Sequence, residues 1–505
     1  MRVCVNYPCP FPARKLNAIR CAHNPAAPAL LRACDRLGMY VMDEISDVWT
    51  GPKANYDYGI SFAEHWEEDV TAMVRKDINH PSVILYSIGN EIPEAGDPFD
   101  IRWGQRLTEK IRQLDDSRFT LNSLNLLMAA IGPLSRKMAE GKAEGGINEM
   151  MNSLGSLMAT LTTDPMVDEL LDVAFDQTDL VGLNYAAARY ELEAKNHPQR
   201  ILVGSETYPR DLAVNWTLVE KLPTVIGDFS WTATDYLGEV GIGRIRYGER
   251  AQGFYSEYPW VAAACCDIDL IGDRTAVSLW RERIWGRTAV PAIAVQDPNH
   301  YGEQQILSTW SWKSDATVSW TWPGCEGKPA IVEVMADADE VELFQDGVSL
   351  GRKSAHETDR CYTTYEVTCR PGALRAVAYR GGEPCGETTL RSAGELAALT
   401  LACDRTSLAA GAQDIAFLTV TAVDAAGVHH TAAAAEIHVT VEGAGTLAAL
   451  GTANPATEEN FYDAHCHLYH GRALAVLRAG QAPGDLTVTV ETPGCAPQRL
   501  TLPVE

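Results

Sequence analysis

The stretch Asn79-His-Pro-Ser-Val-Ile-Leu-Tyr-Ser-Ile-Gly-Asn-Glu91 decides how this chain reads. Val83–Ile88 is a nearly continuous apolar run between Pro81 and Gly89, the pattern of a strand buried on both faces. A carboxyl group placed just beyond such a strand stands at its carboxyl end, the face on which a β/α barrel gathers its chemistry. Ser205-Glu206-Thr207 follows Ile201–Gly204 in the same way, so different strands bring two glutamates to one rim.

Working outward, the chain to about residue 290 alternates short apolar runs with amphipathic helical segments, as a parallel sheet of βα units requires. The expected strands are Asn17–Arg20, Tyr40–Glu44, Val83–Asn90, Phe119–Ser123, Leu180–Tyr185, Ile201–Glu206 and Thr224–Trp231. One helix carries Leu30, Ala33, Cys34 and Leu37 on a face and ends at Gly38, a C-terminal cap. Another is expected to open at Ser61, with Glu64 in capping-box spacing, to present Phe62, Trp66, Val70 and Met73, and to stop before Pro81. The span between Ser123 and Leu180 exceeds one crossover and is read as a helical insertion beside the barrel mouth.

Beyond about residue 300 the period changes to two. Val332–Met335, Val341–Phe344, Leu374–Tyr379, Ala416–Val423, Ile437–Val441 and Leu486–Val490 are short strands between Gly, Asp and Pro turns. The organisation expected is a β/α barrel over 1–295 and two immunoglobulin-like β-sandwiches over 296–392 and 393–505, joined at Arg391-Ser-Ala-Gly-Glu395.

With 505 residues the chain exceeds one ordinary core. Its formal charge of -25 disfavours nucleic acid and anionic lipid as partners, and no apolar run reaches the roughly 20 residues of a membrane helix. The first ten residues lack an apolar signal segment, and the 13 cysteines show no C-x-x-C pair, so a reducing cytoplasmic location is expected.

Two rim carboxyls suit glycosidic bond cleavage, in which one protonates the leaving oxygen while the other attacks the anomeric carbon or activates water. The plainer alternative is a solvated loop residue or a partner for arginine. Asp463-Ala-His465-Cys466-His467, with His470, has metal-like spacing but lacks a second cluster to complete a tetrahedral site, so no metal is assigned.

Four segments then carry a resemblance to glycoside hydrolase family 2: Asn17-Ala-Ile-Arg-Cys-Ala-His-Asn-Pro25, Cys34-Asp-Arg-Leu-Gly-Met-Tyr-Val-Met-Asp-Glu44, Asn79 to Glu91, and Gly204-Ser-Glu-Thr207. The resemblance implies Glu91 as acid/base and Glu206 as nucleophile of a retaining double displacement, with the carboxyls about 5–5.5 Å apart. It also implies that Asn90 binds the sugar 2-hydroxyl, that Tyr185 orients Glu206, that His23 binds sugar hydroxyls and that Trp231 forms an apolar wall, with Trp49 a further candidate for that rim. A carbohydrate substrate follows. No cofactor is implied, because hydrolysis needs only two carboxyls and water, and Mg²⁺ or Na⁺ is not derivable from the residues.

Family members ordinarily carry two further domains ahead of the barrel, and their acid/base and nucleophile stand on strands four and seven rather than on the third and sixth runs found here. The expectation is therefore an N-terminally truncated barrel lacking its first strand. Its exposed edges would favour association of copies unless Val3–Tyr7 pairs across the gap. The chain contains no Asn-x-Lys, the uronate-binding motif of the family's glucuronidases. A terminal β-galactoside is the favoured substrate, with β-glucuronide and β-mannoside as alternatives. The rival from another class is an inactive carbohydrate-binding remnant.

Overall fold

The computed structural model describes residues 17–97, 100–130, 165–248 and 255–505. Two compact units divide after Trp231. The expected pairing of Val3–Tyr7 and most of the expected insertion, residues 131–164, lie outside the described residues.

The first unit is built on seven parallel strands in sequential order, β1 (Ala18–Arg20), β2 (Tyr40–Glu44), β3 (Val83–Asn90), β4 (Phe119–Leu124), β5 (Leu180–Asn184), β6 (Leu202–Thr207) and β7 (Val225–Ser230). Helix α1 (Pro28–Leu37) starts with Pro28, whose fixed φ suits a first helical position, and ends where Gly38 turns left-handed at φ 69°. Helix α2 (Gly59–Asp77) buries Phe62, Val70 and Met73. It opens two residues earlier than Ser61: the Asp57 carboxylate accepts from the Gly59 N–H at 3.0 Å, so the start is organised from Asp57 and no capping box forms at Ser61. Helix α3 (Arg102–Leu114) lies against α2, with Trp103 edge-on to Phe62 at 5.5 Å.

Period-two alternation splits the sheet's inner face into layers. Met42, Leu85, Leu121, Leu180 and Val203 make an apolar floor, with Phe229 packed beside it. Two residues further along four of these strands stand Glu44, Ser87, Ser123 and Ser205, joined by Asn184. Burying each large apolar side chain stabilises the fold by about 1.5–3 kcal/mol. The polar layer is tolerated because its members bond one another: Ser87 donates to Glu44 at 2.6 Å, Ser87 and Ser123 lie 3.2 Å apart, and Ser205 donates to Asn184 at 2.6 Å.

The second unit holds antiparallel sheets. Tyr362–Thr368, Pro329–Met335 and Ala292–Val295 form one, and Val348–Ser354, Glu340–Gln345, Ala373–Arg380 and Glu383–Arg391 form another. Between them lies a core including Ile293, Val332, Val334, Val341, Leu343, Val367, Leu374 and Ala376. A second pair of four-stranded sheets follows, centred on Ile415–Asp424 beside Arg472–Ala479 and on Glu436–Gly443 beside Gly484–Glu491. The strands alternate inward apolar and outward polar residues, as sandwiches do. His467 bonds Glu459 at 2.9 Å and His465 stacks on His438, and among the described residues no three His, Cys, Asp or Glu side chains cluster as metal ligands. No helix among them is long and apolar enough to cross a membrane. The eleven described cysteines are free.

Candidate active site

The carboxyl end of the parallel sheet collects ionisable side chains around one guanidinium. Arg20, the last residue of β1, donates through Nη1 to Glu206 Oε1 at 2.6 Å and to the Ser205 carbonyl at 3.0 Å. Through Nη2 it donates to Glu44 Oε2 at 2.7 Å and to Asn90 Oδ1 at 2.9 Å. Burial works against its charge, but Glu44 and Glu206 more than compensate, and its pKa is raised. Burial likewise disfavours the Glu44 carboxylate, yet Arg20, His23 and Ser87 hold its pKa at about 2.

Glu206 is buried, and the Tyr185 hydroxyl donates to its second oxygen at 2.7 Å. Tyr185 directly follows β5, with φ 57°, and stacks on Tyr208 with ring centres 4.3 Å apart. Glu91 directly follows β3, also left-handed at φ 47°, and its N–H donates to the Ser123 carbonyl at 2.7 Å. Such conformations are strained for a side chain larger than glycine and persist where the surroundings impose them. Glu91 Oε1 accepts from Asn125 Nδ2 at 2.8 Å and Asn184 Nδ2 at 3.1 Å. Burial and then the Glu206 charge raise its pKa, while the two amides and Lys53 oppose the shift.

Asn90 is held from both sides of its amide. Its Oδ1 accepts from Arg20 and, at 3.0 Å, from Asn184, while its Nδ2 donates to Asp47 Oδ1 at 2.9 Å and faces His23 Nε2 at 3.3 Å. His23 bonds Glu44 Oε1 through Nδ1 at 2.7 Å and has Nε2 3.6 Å from Glu206. Burial pulls its pKa down, the Glu44 hydrogen bond and charge push harder the other way, and the net shift is upward. Its ring lies parallel to Trp231, 2° out of plane with centres 5.3 Å apart, so groups after β1 and β7 meet at the mouth.

His23, Asn90, Glu91, Tyr185, Glu206 and Trp231 thus converge. Trp49 does not, and its placement at the rim is corrected. It is 0% exposed and gives its indole N–H to the Ile88 carbonyl at 2.9 Å, beneath the strand end. A Cβ on Gly89 would lie 2.9 Å from that indole nitrogen, so Gly89 is what lets the strand cross the ring. Sequence reasoning passed over Arg20, Glu44, Asn125 and Asn184. Arg20 and Glu44 each end an early strand, and their burial would have demanded an opposite charge.

The comparisons with known proteins bear on the fold and the family. Residues 12–130 match the TIM barrel domain of the glycosyl hydrolases family 2, residues 399–501 match the glycoside hydrolase family 2 C-terminal domain 5, and residues 327–386 match a domain of unknown function. A β-galactosidase of Bacteroides ovatus is 27% identical over 95% of this chain and 56% of its own length. A putative β-glucuronidase of Formosa agariphila is 24% identical over 94% of this chain and 43% of its own. The chain therefore spans about half the length of these curated relatives. The crystal structure of a glycosyl hydrolase family 2 member from Bacteroides cellulosilyticus superposes with a TM-score of 0.84 at 32% identity, covering 98% of this chain and 58% of that one. With its barrel and final sandwich both matched in order, the chain belongs to glycoside hydrolase family 2.

Proposed function

We propose that the chain is a retaining exo-β-glycosidase in which Glu206 is the nucleophile and Glu91 the general acid/base. The observation that carries this reading is the opposed treatment of the two carboxyls. Glu206 is ion-paired to Arg20 and hydrogen-bonded by Tyr185, whereas among the described residues Glu91 takes its hydrogen bonds from neutral amides and, against the opposing charge of Lys53, has its proton affinity raised by burial and by Glu206. A carboxylate ready to attack beside a carboxyl that retains a proton is what the first half of a double displacement needs.

In that step Glu206 attacks the anomeric carbon while Glu91 gives its proton to the leaving oxygen. In the second, Glu91 takes a proton from water as the water displaces Glu206 from the same carbon. Asn90 and His23 supply polar contacts to the sugar hydroxyls, and the Trp231 ring, held parallel to His23, offers an apolar face to the pyranose C–H surface. The reaction as written uses no cofactor. The eleven described cysteines, all free, fit a reducing compartment such as the cytoplasm.

A terminal β-galactoside is the favoured substrate, supported by the likeness to the Bacteroides β-galactosidase and by the absence of an Asn-x-Lys uronate motif. The test is incubation with nitrophenyl β-galactoside, β-glucuronide and β-mannoside, with the first-formed anomer followed by proton NMR. Turnover of the galactoside with the β-anomer released first is expected. An α-anomer first would overturn the double displacement, and no turnover of any glycoside would favour the carbohydrate-binding remnant.

A further inference from the structure

The loop after β2 carries a carboxylate that the proposed chemistry leaves unused. Ser46 donates its hydroxyl to the Val48 carbonyl at 2.7 Å and accepts from the Val48 N–H at 3.2 Å, closing a tight turn around Asp47. Trp49 anchors the next step to the Ile88 carbonyl. Lys53, whose N–H is held by Asp57 at 2.7 Å, donates through Nζ to the Asn90 carbonyl at 2.6 Å and to Asp47 Oδ1 at 2.7 Å. The Asn90 amide donates to that same Oδ1 at 2.9 Å. Two donors therefore fix one oxygen of Asp47, while Oδ2 takes no hydrogen bond among the described residues and the side chain is 46% exposed.

Asn90 immediately precedes Glu91, and its amide nitrogen also faces His23. The Asp47 carboxylate is therefore bonded directly to one of the two groups that the proposed mechanism assigns to the sugar and lies one contact from the other. A fixed carboxylate oxygen with unshared lone pairs has one natural ligand in such a place, a hydroxyl, because hydrogen bonds to ionised acceptors are short and strong. The clamp from Lys53 and Asn90 also means that little side-chain freedom is lost when the hydroxyl arrives.

We propose that Asp47 is a specificity-determining substrate ligand, its Oδ2 accepting a hydrogen bond from a ring hydroxyl of the sugar on the side facing Asn90 and His23. The inference rests on the glycosidase reading and deepens it, selecting sugars that carry a donor at that carbon. Lys53 is a positioning residue that acts through Asp47.

The test pairs Asp47→Ala with nitrophenyl β-galactoside and its 2-deoxy, 3-deoxy and 4-deoxy analogues. On the parent glycoside the variant is expected to lose roughly 10–100-fold in kcat/KM, the range of a hydrogen bond to a charged group. On the 2-deoxy or the 3-deoxy analogue, whichever lacks the bound hydroxyl, the same substitution is expected to change kcat/KM by less than about threefold. An equal loss on all four substrates, or no loss on the parent, overturns the assignment. Asp47→Asn keeps the shape and is expected to repeat the pattern more weakly, which separates a lost contact from a misfolded loop. Should the wild type turn over no glycoside, the glycosidase reading fails by itself. Galactose binding, followed by Trp231 fluorescence, then decides on Asp47: weakening in Asp47→Ala supports it, and unchanged binding, or none in the wild type, overturns it.

Discussion

Glu206 and Glu91 are the same side chain delivered by two strands of one sheet, and the chain surrounds them in opposite ways. Around Glu206 stand a guanidinium at 2.6 Å and a phenol at 2.7 Å. Around Glu91 stand the amides of Asn125 and Asn184, and the nearby negative charge comes from Glu206 itself. Charged donors stabilise an ionised carboxyl far more than neutral ones do, so the division of labour proposed for the pair rests on their partners rather than on the glutamates themselves.

The contrast can be broken at several points. The largest expected effect is that of Glu206→Gln, which keeps the shape and removes the nucleophilic charge; kcat on nitrophenyl β-galactoside should fall by about 10⁴-fold or more while sugar binding persists. An unchanged kcat would remove Glu206 from the reaction. Next, Glu91→Gln should slow alkyl galactosides by roughly 10²–10⁴-fold and dinitrophenyl galactoside far less, since an activated leaving group needs little protonation. Equal slowing of both would deny Glu91 its role as acid.

Arg20→Met probes the charged side of the comparison. It strands Glu44 and Glu206 as buried anions, and a loss of roughly 3–5 kcal/mol in urea unfolding at neutral pH is expected. Glu44, held at about 2, contributes stability that is complete above its unfolded value near 4.3 and is lost as pH falls toward 2. The unfolding free energy from urea titration should therefore drop across that window by about 3 kcal/mol more in the wild type than in Glu44→Gln. A parallel pair of curves would refute the linkage.

The smallest effect sharpens the neutral side. Asn125→Ala removes a donor that favours the Glu91 carboxylate, so the Glu91 pKa should rise further. Because the proposed first step needs Glu91 protonated, the alkaline limb of kcat/KM should move to higher pH, with about a tenfold loss or less at the optimum. A shift to lower pH would contradict the hydrogen-bond argument.

The seven strands were legible because each is a short apolar run with a polar end, and two residue periods suffice to separate barrel from sandwich. Glu91 and Glu206 were legible for the same reason, as carboxyls just past apolar runs. Arg20 and Asn184 were not, since what they do depends on partners as far away as Glu206, 186 positions from Arg20, and no periodicity encodes such a pair. Trp49 misled because a tryptophan after a strand reads alike whether it faces a sugar or the underside of Gly89. Only the glycine, with room for an indole and for nothing larger than hydrogen, carried the distinction. The start of α2 shifted because Asp57, one turn earlier than Ser61, captures the Gly59 N–H first.

The parallel rings of His23 and Trp231 carry a consequence for the order of events at the ribosome. A ring placed just after the first described strand has its counterpart just after the seventh, so no nascent intermediate that ends before residue 231 has emerged can present the paired rings of the proposed site. Helices and neighbouring strands can dock as they are made, since their contacts are local, but this pairing spans the whole parallel sheet and waits for its seventh strand.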